Sequence, residues 1–476
     1  MPNIHYEGRV RTPVRTSRAV PILPEDPPRI RREFGEIEID NGDGELDAVV
    51  QSYAVDGRNI RVLFGPYMGD YREFSQIAGL LGRGWETDRD NVRIPVRDWT
   101  FVLDQPLQTN LYAGSGGAEG GDDLEGKPKP LCFGRVRNMT PPLIDSTNVI
   151  YQVHDGTVYA IDGVFESGAS ITLDTGVGTG GDVADYTALV AASVTAGQYA
   201  TCKAEGLFKL GSSPTGLITA DVRGDVLDGA YANGVDTIAQ RIITNRAGIS
   251  LARVDTVSFA TLATTASGEV GWFVGHQSRP TTAEVIDSIV RGVAGFWGAG
   301  RDGRIAAGRL VAPEATLPIY TLDDVSILDL RVERQIVPRF RQRVTYKPNW
   351  TPGQLDLAAS VTASRRQFLT EAERSVAAAD TSVQVRHIEA LDPAPLISPF
   401  ESSTDAQTLA DSLLGLHKPD RAVYRASVMR LSYLFRLGVP LSVRWGRYGL
   451  DGGKTLILVG IDEDARTGRA DMLLWG

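Results

Sequence analysis

The chain has 476 residues, 42% of them hydrophobic and 23% charged, enough apolar material for several cores and too much for bulk disorder. Its 59 acidic and 49 basic residues leave a net charge of -10, which excludes a general nucleic-acid coat. Length predicts about three or four domains, and two cysteines, Cys132 and Cys202, exclude a disulfide framework.

The 51 glycines, set among many Val, Thr and Ile residues, predict short strands and tight turns in preference to a helical bundle. With no CxxC spacing, the cysteines read as free thiols in a reducing compartment. Met1 to His5 open no basic segment followed by an apolar one, so no signal peptide is expected. No apolar run approaches the ~18 residues of a membrane span. Assembly in the cytoplasm is the expectation.

Residues 1–33 hold seven arginines (Arg9, Arg11, Arg15, Arg18, Arg29, Arg31 and Arg32) and six prolines. Proline at this density predicts an extended arm, either solvated or ordered against a neighbouring subunit. Nucleic-acid contact lacks the interleaved aromatics it needs. Ile37 and Ile39 then alternate with Glu36 and Glu38, a half-buried strand closed by a turn at Asn41–Gly44. Asp40, Asp43, Glu45 and Asp47 resemble a calcium loop, but Gly42 and Gly44 stand at the third and fifth positions, where ligands belong. Arg58–Phe64 reads as strand. Phe74, Ile77 and Leu81 predict a short helix, and Asn91–Leu103 a strand.

Gly114–Asp123 predicts a mobile surface loop. Val149–Val164 reads as strand with a hairpin turn at Asp155–Gly156. Gly176–Gly181 spells GxGxxG, but no run of parallel-sheet strands surrounds it, so a flexible loop is expected. Gly453-Lys454-Thr455 lacks the first P-loop glycine, replaced by Tyr448, and opens a strand where a P-loop needs a helix.

Three capping boxes follow, Thr237 to Gln240, Thr281 to Glu284 and Thr404 to Gln407. After the second, Val285, Ile286, Ile289, Val290 and Val293 form one helical stripe, a packed face rather than a cofactor box. Asp302–Gly303 predicts a β-hairpin. Residues 311–345 return to strand, Thr370–Ala379 reads as a short helix, and Ala406, Leu409, Ala410 and Leu413 mark an amphipathic one. Leu441–Trp445, Lys454–Ile461 and Arg469–Trp475 close the chain as strands, with a polar turn from Asp462 to Gly468.

Catalytic spacing is missing. His5, His154, His276, His387 and His417 never stand at HxH or HxxxH spacing. There is no GxSxG elbow. Cys132, between Leu131 and Phe133, lacks the helix N-terminus that lowers a nucleophile's pKa. The carboxylate pairs Asp122/Asp123, Asp323/Asp324 and Asp462/Asp464 fall in turns. No catalytic residue, metal or cofactor is expected; a glycosidase or cell-wall hydrolase is the enzymatic alternative.

Two phrases carry a resemblance. One runs from Thr282-Ala-Glu-Val-Ile-Asp287 through Phe296-Trp297 to Leu310. The other, within Leu431–Gly476, is Leu437-Gly-Val-Pro-Leu-Ser-Val-Arg-Trp-Gly-Arg-Tyr-Gly-Leu450, followed by Leu456 to Asp464 and the terminal Leu474-Trp475-Gly476. With Gly126–Val136 and Ile150–Gly156, they resemble the tail-tip or baseplate hub proteins of long-tailed phages over about half the chain.

The resemblance implies an α+β, β-rich, multidomain fold with two tail-tube-like β-barrels, an α/β module and a β-rich insertion. The expected division is an extended Arg/Pro-rich arm at residues 1–33, a first barrel at 34–145, the insertion at 146–215, the α/β module at 216–312, and a second barrel with short helices at 313–476. It further implies a homotrimer that presents six barrels to a hexameric tail tube. The implied partners are distal tail or tail tube protein, tape-measure protein, and central tip or fibre proteins. The implied place is the virion tail tip, which closes and opens for DNA delivery; a distal tail ring or receptor-binding protein is the other tail role. Arg29, Arg31, Arg32, Trp297, Arg447 and Tyr448 are the candidate subunit contacts.

Overall fold

The computed structural model describes residues 7–66, 69–429 and 435–476. His5 and the first residues of the Leu431–Gly476 stretch, Leu431 to Leu434, lie outside them. The fold is β-rich α+β, as expected, with strands along the whole described chain and its longer helices between Thr256 and His417.

The N-terminal segment is extended, but it orders against its own chain. Strands Val10–Thr12 and Arg15–Ala19 run antiparallel to Glu36–Asp40 and Arg31–Phe34. Val10 faces Ile39, Thr16 faces Phe34 and Ala19 faces Arg31, so the four strands are two limbs of one long hairpin. Pro13 and Gly35 mark the joint between its two halves, and four of the prolines, Pro21, Pro24, Pro27 and Pro28, fall in the connecting loop, where no ladder N–H is needed. The arginines find carboxylates within the chain: Arg9 with Asp43 and Glu45, Arg11 with Asp40, Arg15 with Asp462 and Arg18 with Glu463. The Asp40–Asp47 run therefore meets guanidinium groups.

The outer half of this hairpin belongs to an N-terminal sheet. Glu36–Asp40 pairs with Asn91–Arg97, which pairs with Ser75–Gly82, which pairs with Asn59–Phe64. The expected helix at Phe74–Leu81 is therefore a strand. Ile77, Ala78, Leu80 and Leu81 are buried by cross-strand pairing, and Gly79 and Gly82 are poor helix formers. Asn91–Arg97 alternates buried and half-buried positions as its pattern predicts, and gives way to a 3-10 turn at Trp99–Asp104.

The inner half of the hairpin belongs to a C-terminal sheet of eight strands. Arg15–Ala19 pairs with Lys454–Asp464, which also pairs with Pro440–Val443 and with Arg469–Trp475. Arg421–Met429 and Ile327–Ile336 continue the sheet to one edge, and Thr321–Leu322 forms the other. The strand Lys454–Asp464 runs through the first residues of the predicted turn, because Asp462, Glu463 and Asp464 pair with Ser17, Thr16 and Arg15.

A ten-stranded sheet fills the region between and takes in more than the expected insertion. Leu131–Met139 lies between Ile218–Leu227 and Gly271–Val274, so it leaves the N-terminal sheet altogether. Gly134 sits in this strand at φ 60°, and a Cβ there would meet Val270 O at 1.8 Å, so only glycine fits. Ile150–Gln152 and Val158–Glu166 do not pair with each other across Asp155–Gly156. The first pairs with Leu207–Leu210 and the second with Ile218–Leu227. Gly176–Gly181 is a loop ahead of the short helix Tyr186–Ala191.

Helices cover a central core. Thr282–Gly292 is capped by Thr281 as predicted: Thr281 Oγ1 accepts from Glu284 N, and a Glu284 carboxylate oxygen accepts from Thr281 N at 2.7 Å. Thr281→Ala should lower stability by about 1 kcal/mol in urea unfolding, by leaving Glu284 N–H without its acceptor. The other two boxes are offset. Val235–Arg241 is capped at Gly234, with Thr237 Oγ1 accepting from Gly234 N, and Ser403–His417 is capped by Ser402. Residues 370–379 are split between the end of helix Ala363–Thr370 and strand Arg374–Ala379, which pairs with Arg341–Tyr346. Helix Ser403–His417 packs on that strand pair, and Leu409, Ala410 and Leu413 join Ile286, Ile289, Trp297 and Phe133 in one apolar cluster.

Candidate functional site at the junction of the sheets

The tip of the hairpin Gly295–Ala299/Ile305–Arg309 reaches the place where the N-terminal sheet, the long hairpin and the C-terminal sheet meet. Glu463 stands there almost fully buried and accepts from Thr16 Oγ1 at 3.2 Å, Arg18 Nη2 at 3.2 Å and Arg301 Nη1 at 2.8 Å. Arg301 Nη2 reaches the other carboxylate oxygen. Burial, together with the neighbouring Arg301, pushes the Arg18 guanidinium down to about 9.

Three of the six candidate contacts gather beside this cluster. Arg29 donates to Asp287 at 2.8 Å and to Asp104 at 3.2 Å, and its guanidinium lies 5.3 Å from the Trp297 ring centre. Trp297 is fully buried and donates Nε1–H to Asp287 at 2.7 Å. Its backbone accepts from Ile30 N and donates to Pro28 O, which docks the proline loop. Arg32 donates to Asp98 at 3.1 Å and to Gly300 O at 3.3 Å. Trp297 and Arg32 thus join parts of one chain, since a side chain buried this way presents no surface to a partner. Arg31 is exposed on the hairpin.

Arg447 and Tyr448 lie apart from the other four, exposed in the turn between Pro440–Val443 and Lys454–Asp464. The Arg447 guanidinium stands 5.3 Å from the Tyr448 ring centre. Tyr448 holds φ at 61°, a left-handed conformation that costs a non-glycine residue about 1 kcal/mol.

One constellation is invisible in the sequence. Cys132, His154 and Asp225 come together with Arg241 and Arg246. His154 Nδ1 accepts from Cys132 N at 2.9 Å, and His154 Nε2 lies 2.8 Å from Arg246 Nη2 and 3.7 Å from Asp225. Arg241 clamps Asp225 at 2.9 and 3.0 Å. This arrangement does not make a nucleophile. Cys132 is fully buried in a strand, burial pushes its thiol up, and Sγ contacts Val153 O at 3.1 Å. The network joins the strand Leu131–Met139 to the strand Ile218–Leu227 and the helix after it, and no local spacing announces it.

His154 and His417 are both held neutral, pushed down from 6.5 to about 3, chiefly by burial and then by flanking arginines. The unfolded chain takes up a proton at each near 6.5, and the folded chain only near 3. Stability should therefore fall as pH drops through this window, with a slope of about 1.4 kcal/mol per pH unit for each histidine. Urea unfolding of the wild type and of His417→Gln between pH 7 and 5 checks this; equal slopes would contradict it.

Among the described residues no His, Cys, Asp or Glu group is arranged to hold a metal, and no helix is long and apolar enough to cross a membrane. No family model and no curated protein matches the chain. Solved structures do. The 43 kDa tail protein of prophage MuSo2 from Shewanella oneidensis is 11% identical, with a TM-score of 0.38 over 98% of this chain and 94% of that one. A tail protein from Neisseria meningitidis MC58 is 9% identical, with a TM-score of 0.40 over 98% and 95%. A chain of the native gene transfer agent virion is 14% identical, with a TM-score of 0.43 over 79% and 91%. These neighbours are tail proteins and a virion component. TM-scores of this size do not establish a common fold, so the reading below is built on the chain's own residues.

Proposed function

We propose that the chain is a structural virion protein, the hub of a phage tail tip, which joins the tail tube to the host-facing end and acts through binding and gating without bond chemistry. The phrases around Phe296-Trp297 and Leu437–Leu450 suggest this family. The observation that carries the reading is the long hairpin Val10–Ala19/Arg31–Asp40, whose outer half is a ladder of the N-terminal sheet and whose inner half is a ladder of the C-terminal sheet. It couples two largely antiparallel sheets within one subunit. A trimer of such subunits supplies six sheets, each the frame of one tail-tube-like barrel, and so matches a six-fold tube.

The edges support the same reading. Among the described residues Ile327–Ile336 ends the C-terminal sheet with one side unpaired, the kind of edge that another chain covers. Leu317, at 88% exposure, and Val325, at 90%, lie in the segments before and after the opposite edge strand Thr321–Leu322. Arg447 and Tyr448 add an exposed cation and aromatic ring, a pairing enriched at interfaces.

The native mass of the purified full chain tests the proposal. A trimer has about three times the 51.4 kDa of one chain, and the pair Leu317→Asp and Val325→Asp should shift it toward single chains. A ring of six, or digestion of peptidoglycan by the isolated protein, would overturn the hub reading.

A further inference from the structure

At the junction lies a half-open cavity of ≈ 20 Å³ lined by Thr16, Arg18, Arg32, Phe34, Gly300, Arg301 and the apolar strand Ile77–Leu80. A single small ion or water fills such a volume. Every charged side chain on its wall is an arginine. Behind them stand two carboxylates: Glu463, shared by Arg18 and Arg301, and Asp98, bonded to Arg32. Asp302, which also acts on Arg32, is matched to Arg304 at 2.8 Å, and Asp462 is matched to Arg15 at 2.8 Å. Among the described residues three guanidinium groups thus face two carboxylates, and Arg32 Nε is buried without an acceptor.

Buried charge without compensation is costly, and arginine does not shed its proton in answer. We propose that this cavity binds one small monovalent inorganic anion of chloride size, held by Arg18, Arg32 and Arg301. A water molecule would fill the volume but leave the excess charge. The anion supplies the missing charge and an acceptor for the orphaned N–H. It stands where the long hairpin, the N-terminal sheet and the tip of the central hairpin meet, so it ties all three together. The lowered affinity of Arg18 for its proton, caused by burial and by Arg301, agrees with a site short of negative charge.

Crystals of the full chain grown in sodium bromide should show an anomalous peak bounded by these three arginines. No peak there, or bromide only on the outer surface, overturns the proposal. Thermal unfolding at fixed ionic strength, with chloride exchanged for gluconate, gives a second measure. Tm should rise by roughly 2 °C once chloride exceeds its dissociation constant about tenfold, and Arg18→Gln should abolish the response. An unchanged Tm, or an equal response in Arg18→Gln from an ion elsewhere, counts against the site. Where Arg18→Gln fails to fold, the bromide map decides.

Discussion

Glu463→Gln should lower the unfolding free energy by about 3–5 kcal/mol, because it leaves Arg18 and Arg301 buried beside a neutral amide. The side chain keeps its shape, so a large loss reports the charge and not a cavity. One residue away, Asp462 pairs with Arg15, whose side chain is 69% exposed. Asp462→Asn should cost no more than about 1 kcal/mol, since solvent screens that pair. Urea unfolding of both variants decides the matter. Equal losses would mean that burial at the junction does not set the strength of these contacts.

Trp297→Ala should cost about 3–5 kcal/mol. The indole is fully buried in the central core. Its removal opens a cavity, frees the Asp287 oxygen that it bonds at 2.7 Å, and takes the ring from under Arg29. Trp297→Phe keeps most of the apolar contact and should lose about 1–2 kcal/mol, mainly through the missing N–H. The proline loop should loosen in Trp297→Ala, which hydrogen exchange at Ile30 N–H would detect, since that group donates to Trp297 O at 2.7 Å. If the alanine variant keeps wild-type stability, Trp297 is not the anchor that joins the hairpin loop to the central helices.

The features readable from sequence were those set by near neighbours. The Thr281–Glu284 box, the stripe from Val285 to Val293, the turn at Asp302–Gly303 and the alternation expected from Asn91 to Leu103 each depend on residues a few positions apart, and each holds in the fold, the last only as far as Arg97. What escaped was set by distant partners. Phe74, Ile77 and Leu81 fit a helical spacing, yet Ser75–Gly82 becomes a strand because Asn59–Phe64 and Asn91–Arg97 are there to pair with it. The arginines of residues 1–33 suggest an arm seeking a partner, but the partners are Asp462, Glu463 and Asp287 of the same chain. No window of sequence contains both halves of such a pair. For the same reason Trp297 and Arg32 could be picked out as contact residues while their burial inside the chain could not, and the Cys132–His154–Asp225 network gave no sign at all.

Electron cryomicroscopy of assembled tails with this chain labelled tests the hub most directly. The hub reading predicts three copies at the end of the tube, with the N-terminal and C-terminal sheets of each copy alternating around a six-fold ring. Six copies in one ring, or density away from the tail tip, would contradict it.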